Sequence, residues 1–334
     1  MMRAVRFKSY GAADVLALED IPAPTPGPRD VLVEVHAAAV NPVDCKIRGG
    51  SHRAIIRPML PVVPGMDLAG VVRSVGSRVT RVRVGDEVFA SPNHHRMGSY
   101  AELAIVDERE LALKPRSVSH QQAASLPLVA LTAWDALVTR GKIGPGSRVL
   151  IQAGAGGVGT AAIQIAKHFG AEVLTTCSSA NAEAVRELGA DVVIDYHTSS
   201  YEDAARGCDL IVDSLGPVHW RRELATVKRG GRIVGLATGL PAATARFGPV
   251  LGAAVALAQI ARFVVRARLA KNVRFVPMSR TPDGDTLARI AELVDGGAIR
   301  PVIDSVLPLE RAGDAHRRVE SGHCRGKVVL AIAG

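Results

Sequence analysis

The chain has 334 residues, 48% of them hydrophobic and 22% charged, which excludes a disordered chain and suggests two domains rather than one. Its net charge of +9 favours anionic partners such as nucleotide phosphates, but aromatic residues make up only 4%, which argues against a nucleic-acid surface built on base stacking. Its four cysteines are far apart and the first residues form no apolar signal segment, so we expect free thiols and a cytoplasmic protein.

The first 120 residues are predicted to form a compact, barrel-like unit of short strands. In chain order, strands are predicted over 2–7, 30–40, 67–76 and 101–106, which are rich in Val and Ala and partly alternate with polar residues. Turn signals such as PAPTPGPRD and PVVPG separate these strands. Many short strands with Gly and Pro between them are typical of closed β domains.

From about residue 121 the pattern changes to helices alternating with strands. After a helical spacing over 121–138, strands are predicted at 147–153, 171–177, 191–196, 208–214 and 232–237, and helices at 157–170, 180–189 and 219–231. Near-continuous apolar strands in such an order indicate a parallel sheet covered on both faces. The tail is predicted to add a helix at 286–297, a strand at 301–309, a helix at 311–322 and a closing strand at 327–333.

The segment 246–271 is long, apolar and flanked by basic residues. Its uncharged section, 247–261, is shorter than the ~20 residues that span a bilayer. Two structures fit: an amphipathic helix lying on a membrane surface, or a helix buried in the domain or in a dimer contact. We favour the second, and keep peripheral membrane contact through 246–271 as the alternative.

A glycine motif opens the helix predicted at 157–170. Gly154, Gly156 and Gly159 satisfy G-x-G-x-x-G directly after an apolar strand, which is the context that makes this short motif informative. Glycines let backbone N–H groups approach a pyrophosphate, and the helix N-terminus favours its negative charge. The motif therefore predicts a dinucleotide site.

The end of the second strand bears on which dinucleotide binds. An NAD site has an Asp or Glu about 20 residues after the motif, to bind the ribose 2′-hydroxyl. That position lies within TTCSSAN, which holds no carboxylate and offers Ser178, Ser179 and Asn181. The turn also lacks Arg and Lys. NADPH is favoured, because no acid is present there to repel its 2′-phosphate.

Together with the motifs VLVEVHAAAVNPVD, LPVVPGMDLAGVV, AASLPLVALTAWDAL, AGAGGVGTAAIQIAK and LGADVVIDY, these features resemble the medium-chain dehydrogenase/reductase superfamily over nearly the whole chain. The resemblance implies an α/β protein with a GroES-like, β-rich catalytic domain from both chain ends and a Rossmann domain with a doubly wound parallel sheet between them. The implied ranges are 1–121 for the first part of the catalytic domain, 122–276 for the Rossmann NADP(H)-binding domain and 277–334 for the return to the catalytic domain.

Within the superfamily the chain resembles the zinc-free quinone oxidoreductases, among them the mitochondrial reticulon-interacting oxidoreductases and plant enone oxidoreductases. Zinc alcohol dehydrogenases place Cys where this chain has Asn41, and His-Glu where it has Met66 and Asp67. Residues 86–105 also lack the closely spaced cysteines of their structural-zinc lobe. We expect no metal, and Cys45 is predicted to be a small buried residue rather than a ligand or nucleophile.

The resemblance implies a catalytic pair, Lys46 and Asn41, both in the stretch NPVDCKIRGG. Asp44 in the same stretch either orients Lys46 or caps the helix that begins at NPVD. In plant relatives the lysine that matches Lys46 lies by the nicotinamide and the substrate. The implied cofactor-binding residues are Gly154, Ala155, Gly156, Gly157, Val158, Gly159, Ser178, Ser179, Tyr196, Ser214, Leu236, Phe275 and Lys327.

The function implied is NADPH-dependent, zinc-independent hydride transfer to a quinone or to an α,β-unsaturated carbonyl. Lys46 would stabilise the oxyanion or bind the nicotinamide ribose. Two alternatives stay open: an enoyl-thioester reductase of the same fold, and a non-catalytic NADPH-binding partner or RNA-binding protein. A homodimer formed through the Rossmann sheets is the expected assembly.

Overall fold

A computed structural model describes residues 1–53, 56 and 58–332 of the chain. They divide into two compact units, of which the barrel unit comprises the residues up to Leu131 together with those from Thr281 onward. The Rossmann unit is Thr132–Arg280. The domain boundaries predicted from the sequence lie earlier, after residues 121 and 276. Part of the range 277–334, residues 333 and 334, lies outside the described residues.

The barrel unit begins with antiparallel strands and two short helices. Its strands are β1 (Met2–Arg6), β2 (Ala17–Ile21), β3 (Asp30–Val40), β4 (Leu68–Val75), β5 (Glu87–Ala90), β6 (Leu103–Asp107) and β7 (Leu111–Leu113). Its helices here are α1 (Pro42–Arg48) and α2 (His120–Ala124). The alternation in β3 buries Val31, Val33 and Val35, which pack in one apolar cluster of the barrel unit. The strands β2, β5 and β7, of three to five residues, were not predicted.

Helix α3 (Pro127–Trp134) continues as a π-helical turn, Asp135–Arg140, and leads into the Rossmann unit. The strands of this unit are β8 (Arg148–Ile151), β9 (Glu172–Cys177), β10 (Val192–Asp195), β11 (Cys208–Asp213), β12 (Val227–Gly235) and β13 (Arg274–Pro277). They are all parallel, in the order β10-β9-β8-β11-β12-β13. Numbered along the chain, this is the 3-2-1-4-5-6 order of a doubly wound sheet, which confirms the predicted fold class.

The helices that follow the strands cover the sheet. They are α4 (Gly157–His168), α5 (Ala182–Glu187), α6 (Tyr201–Ala204), α7 (Trp220–Thr226), α8 (Leu240–Phe247) and α9 (Pro249–Lys271). The helix predicted over 219–231 ends at Thr226. Val227 already pairs with Cys208 of β11, so sheet pairing overrides the helical spacing of this part of the sequence.

The tail returns to the barrel unit with α10 (Gly284–Asp295), β14 (Ile303–Pro308), α11 (Ala312–Glu320) and β15 (Lys327–Ala331). The sheet order there is β14-β15-β3-β4-β5-β7, and β6 pairs with the other half of β3. Strand β15 therefore lies against the carboxyl half of β3, with Val328 opposite Val40. The last strand is built into the sheet beside the residues that begin α1.

Helix α9 is not buried within the domain, one of the two places predicted for it; the predicted dimer contact and the membrane surface remain as alternatives. Its buried residues are Gly252, Ala256, Phe263 and Ala267, all on one side, while most of its other side chains are exposed. Within the described residues it is the one helix whose length and composition would allow it to cross a membrane.

Candidate active site

The stretch NPVDCKIRGG spans the end of β3 and helix α1. Asn41 is the extended residue before the helix, and Pro42 occupies its first turn, where a missing N–H costs nothing. The Asp44 carboxylate accepts a hydrogen bond from Asn41 N at 2.8 Å. Of the two roles considered for Asp44, the structure shows the helix cap.

A buried ammonium holds this helix start to two other strands. The Nζ atom of Lys327 donates to Val40 O at 2.9 Å and to Asn41 Oδ1 at 2.5 Å, and it lies 3.3 Å from Asp67 Oδ2. The Asn41 amide donates to the same Asp67 oxygen at 2.8 Å, while Leu128 N donates to the other at 2.7 Å. All three side chains are at least nine-tenths buried. The group ties together the ends of β15, β3 and β4.

The positions that carry zinc ligands in the zinc alcohol dehydrogenases lie in or beside this group. Asn41 and Asp67 both contact the ammonium of Lys327, and Met66 packs in an apolar cluster with Phe7 and Ile47. An amide and a thioether stand where those enzymes have Cys and His, the donors that zinc prefers. Across the described part of the chain, no group of three or more His, Cys, Asp and Glu side chains could hold a metal ion.

The two predicted catalytic residues differ in accessibility. Asn41 is 1% exposed, and its amide is engaged by Lys327, Asp67 and Ala39 O, so it positions neighbouring groups. Lys46 is exposed on α1, and its ammonium forms no hydrogen bond or ion pair with the described residues. It remains available to a ligand. Partial burial, with the charge of Lys46 adding to it, lowers the pKa of His52 to about 4.

A second buried chain of polar groups lies behind α1. The Asp44 carboxylate is 3.5 Å from the Tyr100 hydroxyl, which is 3.2 Å from Nε2 of His316. Burial raises the pKa of Asp44 to about 7 and lowers the pKa of His316 to about 3. Cys45 is buried as predicted, and burial also raises the pKa of its thiol.

In the Rossmann unit, most predicted cofactor residues follow the carboxyl ends of successive parallel strands. The glycine turn comes after β8, Ser178 and Ser179 after β9, Tyr196 after β10, Ser214 after β11 and Leu236 after β12. Registers that pair Asp195 with Cys177 and Asp213 with Gly235 bring these residues to one edge of the sheet. That edge is where ligands bind in open α/β sheets.

The glycine turn is too tightly packed for side chains at two of its positions. A Cβ atom on Gly154 would lie 2.0 Å from Thr175 Oγ1, and one on Gly159 would lie 2.3 Å from Ala153 O. Ala153 N and Gly154 N donate to the side chain and the carbonyl of Thr176. The turn therefore delivers the chain to the N-terminus of the twelve-residue helix α4, whose first N–H groups suit a pyrophosphate. The residues present fit an adenine dinucleotide.

The turn after β9 offers uncharged side chains and is partly open. Ser178 is half-buried and its hydroxyl accepts from Asn181 Nδ2 at 3.2 Å, while Tyr196 is exposed and its N donates to Cys177 O at 3.4 Å. These groups can donate hydrogen bonds to a phosphate. The remaining two cofactor predictions lie elsewhere: Phe275 is 6% exposed and packs against Trp220 in the apolar core, and Lys327 belongs to the buried group of the barrel unit.

The sequence analysis missed a buried carboxyl group, that of Glu223, which forms a hydrogen bond with the residue before the glycine turn. Gln152, the residue before the turn, donates to Glu223 Oε1 at 2.9 Å and accepts from Ser214 N at 3.3 Å. Burial, together with the charge of nearby Asp213, raises the pKa of Glu223 to about 9. The signal in the sequence was a polar Gln that ends an otherwise apolar strand.

Comparison with known proteins decides the family. Residues 27–116 match the alcohol dehydrogenase GroES-like domain and residues 188–330 match the zinc-binding dehydrogenase domain. The chain is 38% identical over 340 residues to the NADPH-dependent alkenal/one oxidoreductase, chloroplastic, of Arabidopsis thaliana, covering 98% of this chain and 79% of that protein. The chain belongs to the medium-chain dehydrogenase/reductase superfamily.

Two further relatives place it among the quinone oxidoreductases of this superfamily. It is 36% identical over 326 residues to the NAD(P)H oxidoreductase RTN4IP1, mitochondrial, of Danio rerio, covering 91% of this chain and 84% of the relative. The structure of the quinone oxidoreductase from Coxiella burnetii superposes with a TM-score of 0.86 at 32% identity, covering 99% of both chains. The family resemblance is confirmed, and the chain is an NAD(P)H-dependent oxidoreductase.

We predict that Lys327→Met destabilises the barrel unit by about 3–5 kcal/mol, because it leaves the buried Asp67 carboxylate without that ammonium. Urea unfolding measures this loss. The double variant Lys327→Met/Asp67→Asn removes the charge while an amide oxygen can still accept from Leu128 N, so it should recover a large part of the loss. A single variant within 1 kcal/mol of wild type, or a double variant that shows simple additivity, would contradict the role given to this ion pair.

We predict that Glu223→Gln stabilises the protein increasingly as pH rises. The pKa of Glu223 is raised on folding, so wild type loses stability as pH rises from about 4.5 towards 9, whereas the amide does not ionise. The free energy of unfolding of the two proteins should converge near pH 5. At pH 8.5 the variant should be more stable by more than about 1.4 kcal/mol, the equivalent of one pKa unit. A difference that is constant with pH would show that Glu223 does not titrate on unfolding.

Proposed function

We propose that this chain is an NADPH-dependent, zinc-independent oxidoreductase that reduces quinones or α,β-unsaturated carbonyl compounds. The observation that carries the proposal is the buried Lys327 ammonium against Asn41 and Asp67. A fixed positive charge lies against two of the positions that serve a metal in the zinc enzymes. The relatives named for alkenals, enones and quinones support this substrate class.

The roles of the Rossmann residues follow from the edge at which they lie. NADPH, when bound, supplies the hydride. The glycine turn and the N-terminus of α4 would hold its pyrophosphate. Ser178 and Tyr196 would take the 2′-phosphate by neutral hydrogen bonds, since no carboxylate follows β9 within TTCSSAN. Ser214 and Leu236 follow the next strands and would line the nicotinamide half.

Lys46 is the residue that we assign to the acceptor. Reduction of an enone or quinone places negative charge on the carbonyl oxygen, and an exposed ammonium that is free of partners among the described residues can donate to it. Asn41 acts through position: its amide is held by Lys327 and Asp67 and its backbone N–H by Asp44, which fixes the first turn of α1. The proton that completes the product comes from water.

The experiment that tests this function is NADPH oxidation across a panel of quinones, enones and enoyl thioesters, before and after dialysis against a strong chelator. We expect turnover on quinones or enones, unchanged by the chelator, in protein that contains less than one-tenth of an equivalent of zinc. Loss of activity that zinc restores would overturn metal independence. Turnover confined to enoyl thioesters would favour that class of substrate, and tight NADPH binding without any turnover would favour a non-catalytic binding protein.

Lys46→Ala should lower kcat/KM for the best acceptor by about 100-fold, the size of effect seen when one oxyanion donor is removed. The KM for NADPH should change little, and Lys46→Arg should retain more activity than Lys46→Ala because the positive charge remains. Lys8→Ala is the matched control, since it removes another exposed ammonium of the same unit. An unchanged kcat/KM in Lys46→Ala would remove Lys46 from the mechanism.

Ser178→Asp should reverse the cofactor preference. A carboxylate after β9 repels a 2′-phosphate and can accept from a 2′-hydroxyl, so kcat/KM with NADPH should fall about tenfold or more while that with NADH is kept or raised. Ser178→Asn is the control, because it changes the side chain without adding charge. Equal losses with both cofactors would show that Ser178 lies away from the 2′ position.

A further inference from the structure

Helices α8 and α9 form a hairpin that is fixed to the Rossmann core at one end. Gly248 turns the chain with a φ of +81°, and a Cβ atom on Gly252 would lie 2.3 Å from Ala243 O, so the two helices cross in close contact. Towards the other end, Phe263 stacks on Trp220, and Lys271 Nζ donates to Ala225 O and Val227 O. The C-terminal third of α9 is therefore anchored, while its N-terminal part packs on α8.

The outward side of α9 is apolar. Its buried residues are Gly252, Ala256, Phe263 and Ala267. At 3.6 residues per turn these four lie on one side of the helix, which also defines the opposite, outward side. The large apolar side chains away from the buried side are exposed: Val250, Leu251, Leu257, Val265 and Leu269. Val250 and Leu269 are exposed by more than four-fifths. From 249 to 261 the helix carries no charged residue.

A group of arginines, Arg262, Arg266 and Arg268, follows this apolar section. All three are exposed and form no ion pair or hydrogen bond through their side chains with the described residues. The whole hairpin, 240–271, contains no Asp or Glu. The surface therefore combines exposed aliphatic side chains with uncompensated positive charge.

We propose that the α8–α9 hairpin docks on an anionic phospholipid surface, with the apolar side of α9 in the headgroup boundary and Arg262, Arg266 and Arg268 against lipid phosphates. An apolar helix face beside basic residues is the chemistry of helices that lie in a membrane interface. Each arginine near such a surface adds electrostatic attraction, which falls within a Debye length as salt rises.

Two other arrangements fit the contacts less well. A membrane-spanning α9 would require Phe263 and Ala267 to leave the core cluster and Lys271 to leave its two carbonyl partners. A two-fold contact with a second copy through this side would bring the same arginines of both copies near one another with no carboxylate of the hairpin to balance them. An anionic phospholipid surface can accommodate both the apolar side of α9 and its three arginines.

The test is co-sedimentation of the full chain with phosphatidylcholine vesicles that contain 0 or roughly 30% phosphatidylglycerol. We expect binding to the anionic vesicles that weakens with salt, and little binding to neutral ones. The triple variant Arg262→Gln/Arg266→Gln/Arg268→Gln should lower the partition coefficient by roughly 100-fold. Absence of binding to the anionic vesicles at low salt would overturn the proposal.

Matched controls separate this surface from the general positive charge of the protein. Arg116→Gln/Arg221→Gln/Arg229→Gln removes equal charge from exposed positions elsewhere and should change binding far less. Leu257→Asp should abolish most binding while Val84→Asp, at a residue of the same 61% exposure, should not. Equal loss in both arginine triples, or in both Asp variants, would overturn the assignment to α9. So would an effect of Leu257→Asp on self-association alone, measured by sedimentation equilibrium. NADPH oxidation without vesicles serves as the folding control.

Discussion

The buried ammonium of Lys327 holds the ends of three strands of the barrel unit together. The ammonium of Lys327, at the start of the last strand, replaces its lost hydration with the carbonyl of Val40, the amide oxygen of Asn41 and the carboxylate of Asp67. The two ends of the chain, 286 positions apart at Asn41, are thereby joined where β15, β3 and β4 lie side by side. The first turn of α1 begins at Asn41. The contacts of Lys327 with Asn41 and Asp67 therefore fix the position of the exposed Lys46, although Lys46 takes no part in them.

The burial of several acids in each unit limits which of them can carry charge. The Asp67 carboxylate lies 3.3 Å from the Lys327 ammonium, whereas the Asp44 carboxylate accepts a hydrogen bond from Asn41 N and lies near both Lys327 and Asp67. Burial raises the pKa of Asp44 to about 7, although Lys327 opposes the shift. In the Rossmann unit, burial and Asp213 likewise keep Glu223 protonated at neutral pH. In both units a buried acid is therefore shifted towards its neutral form, which lowers charge repulsion around it.

The sequence predicts features that depend on residues close along the chain, and it does not predict contacts between residues far apart in it. Alternating strands and the βαβ order depend on local patterns, so the parallel sheet and the glycine turn after β8 were predicted correctly. Lys327 was assigned to the cofactor because nothing local shows that it is buried against Asn41 and Asp67. The burial of Phe275 in the core and the exposure of most of α9 could not be read from the sequence for a related reason, since apolar composition does not show which side of an element packs against a partner. On α9, Phe263 and Ala267 pack in the core cluster and Gly252 packs on α8, while most other side chains stay exposed.

An amide, a thioether and a carboxylate stand where the zinc alcohol dehydrogenases have Cys, His and Glu, and they restrict the chemistry proposed for this chain. A metal ion activates a simple carbonyl by Lewis acidity worth several kcal/mol, and a hydrogen bond from one exposed ammonium supplies less. Under the proposed metal-independent mechanism, the acceptor must therefore already be electron-poor. In a quinone or an enone, conjugation spreads the developing charge onto an oxygen several bonds from the carbon that takes the hydride. A single donor at Lys46 can serve such an oxygen, whereas an isolated ketone would lack sufficient activation, so conjugated acceptors are the class that these residues favour.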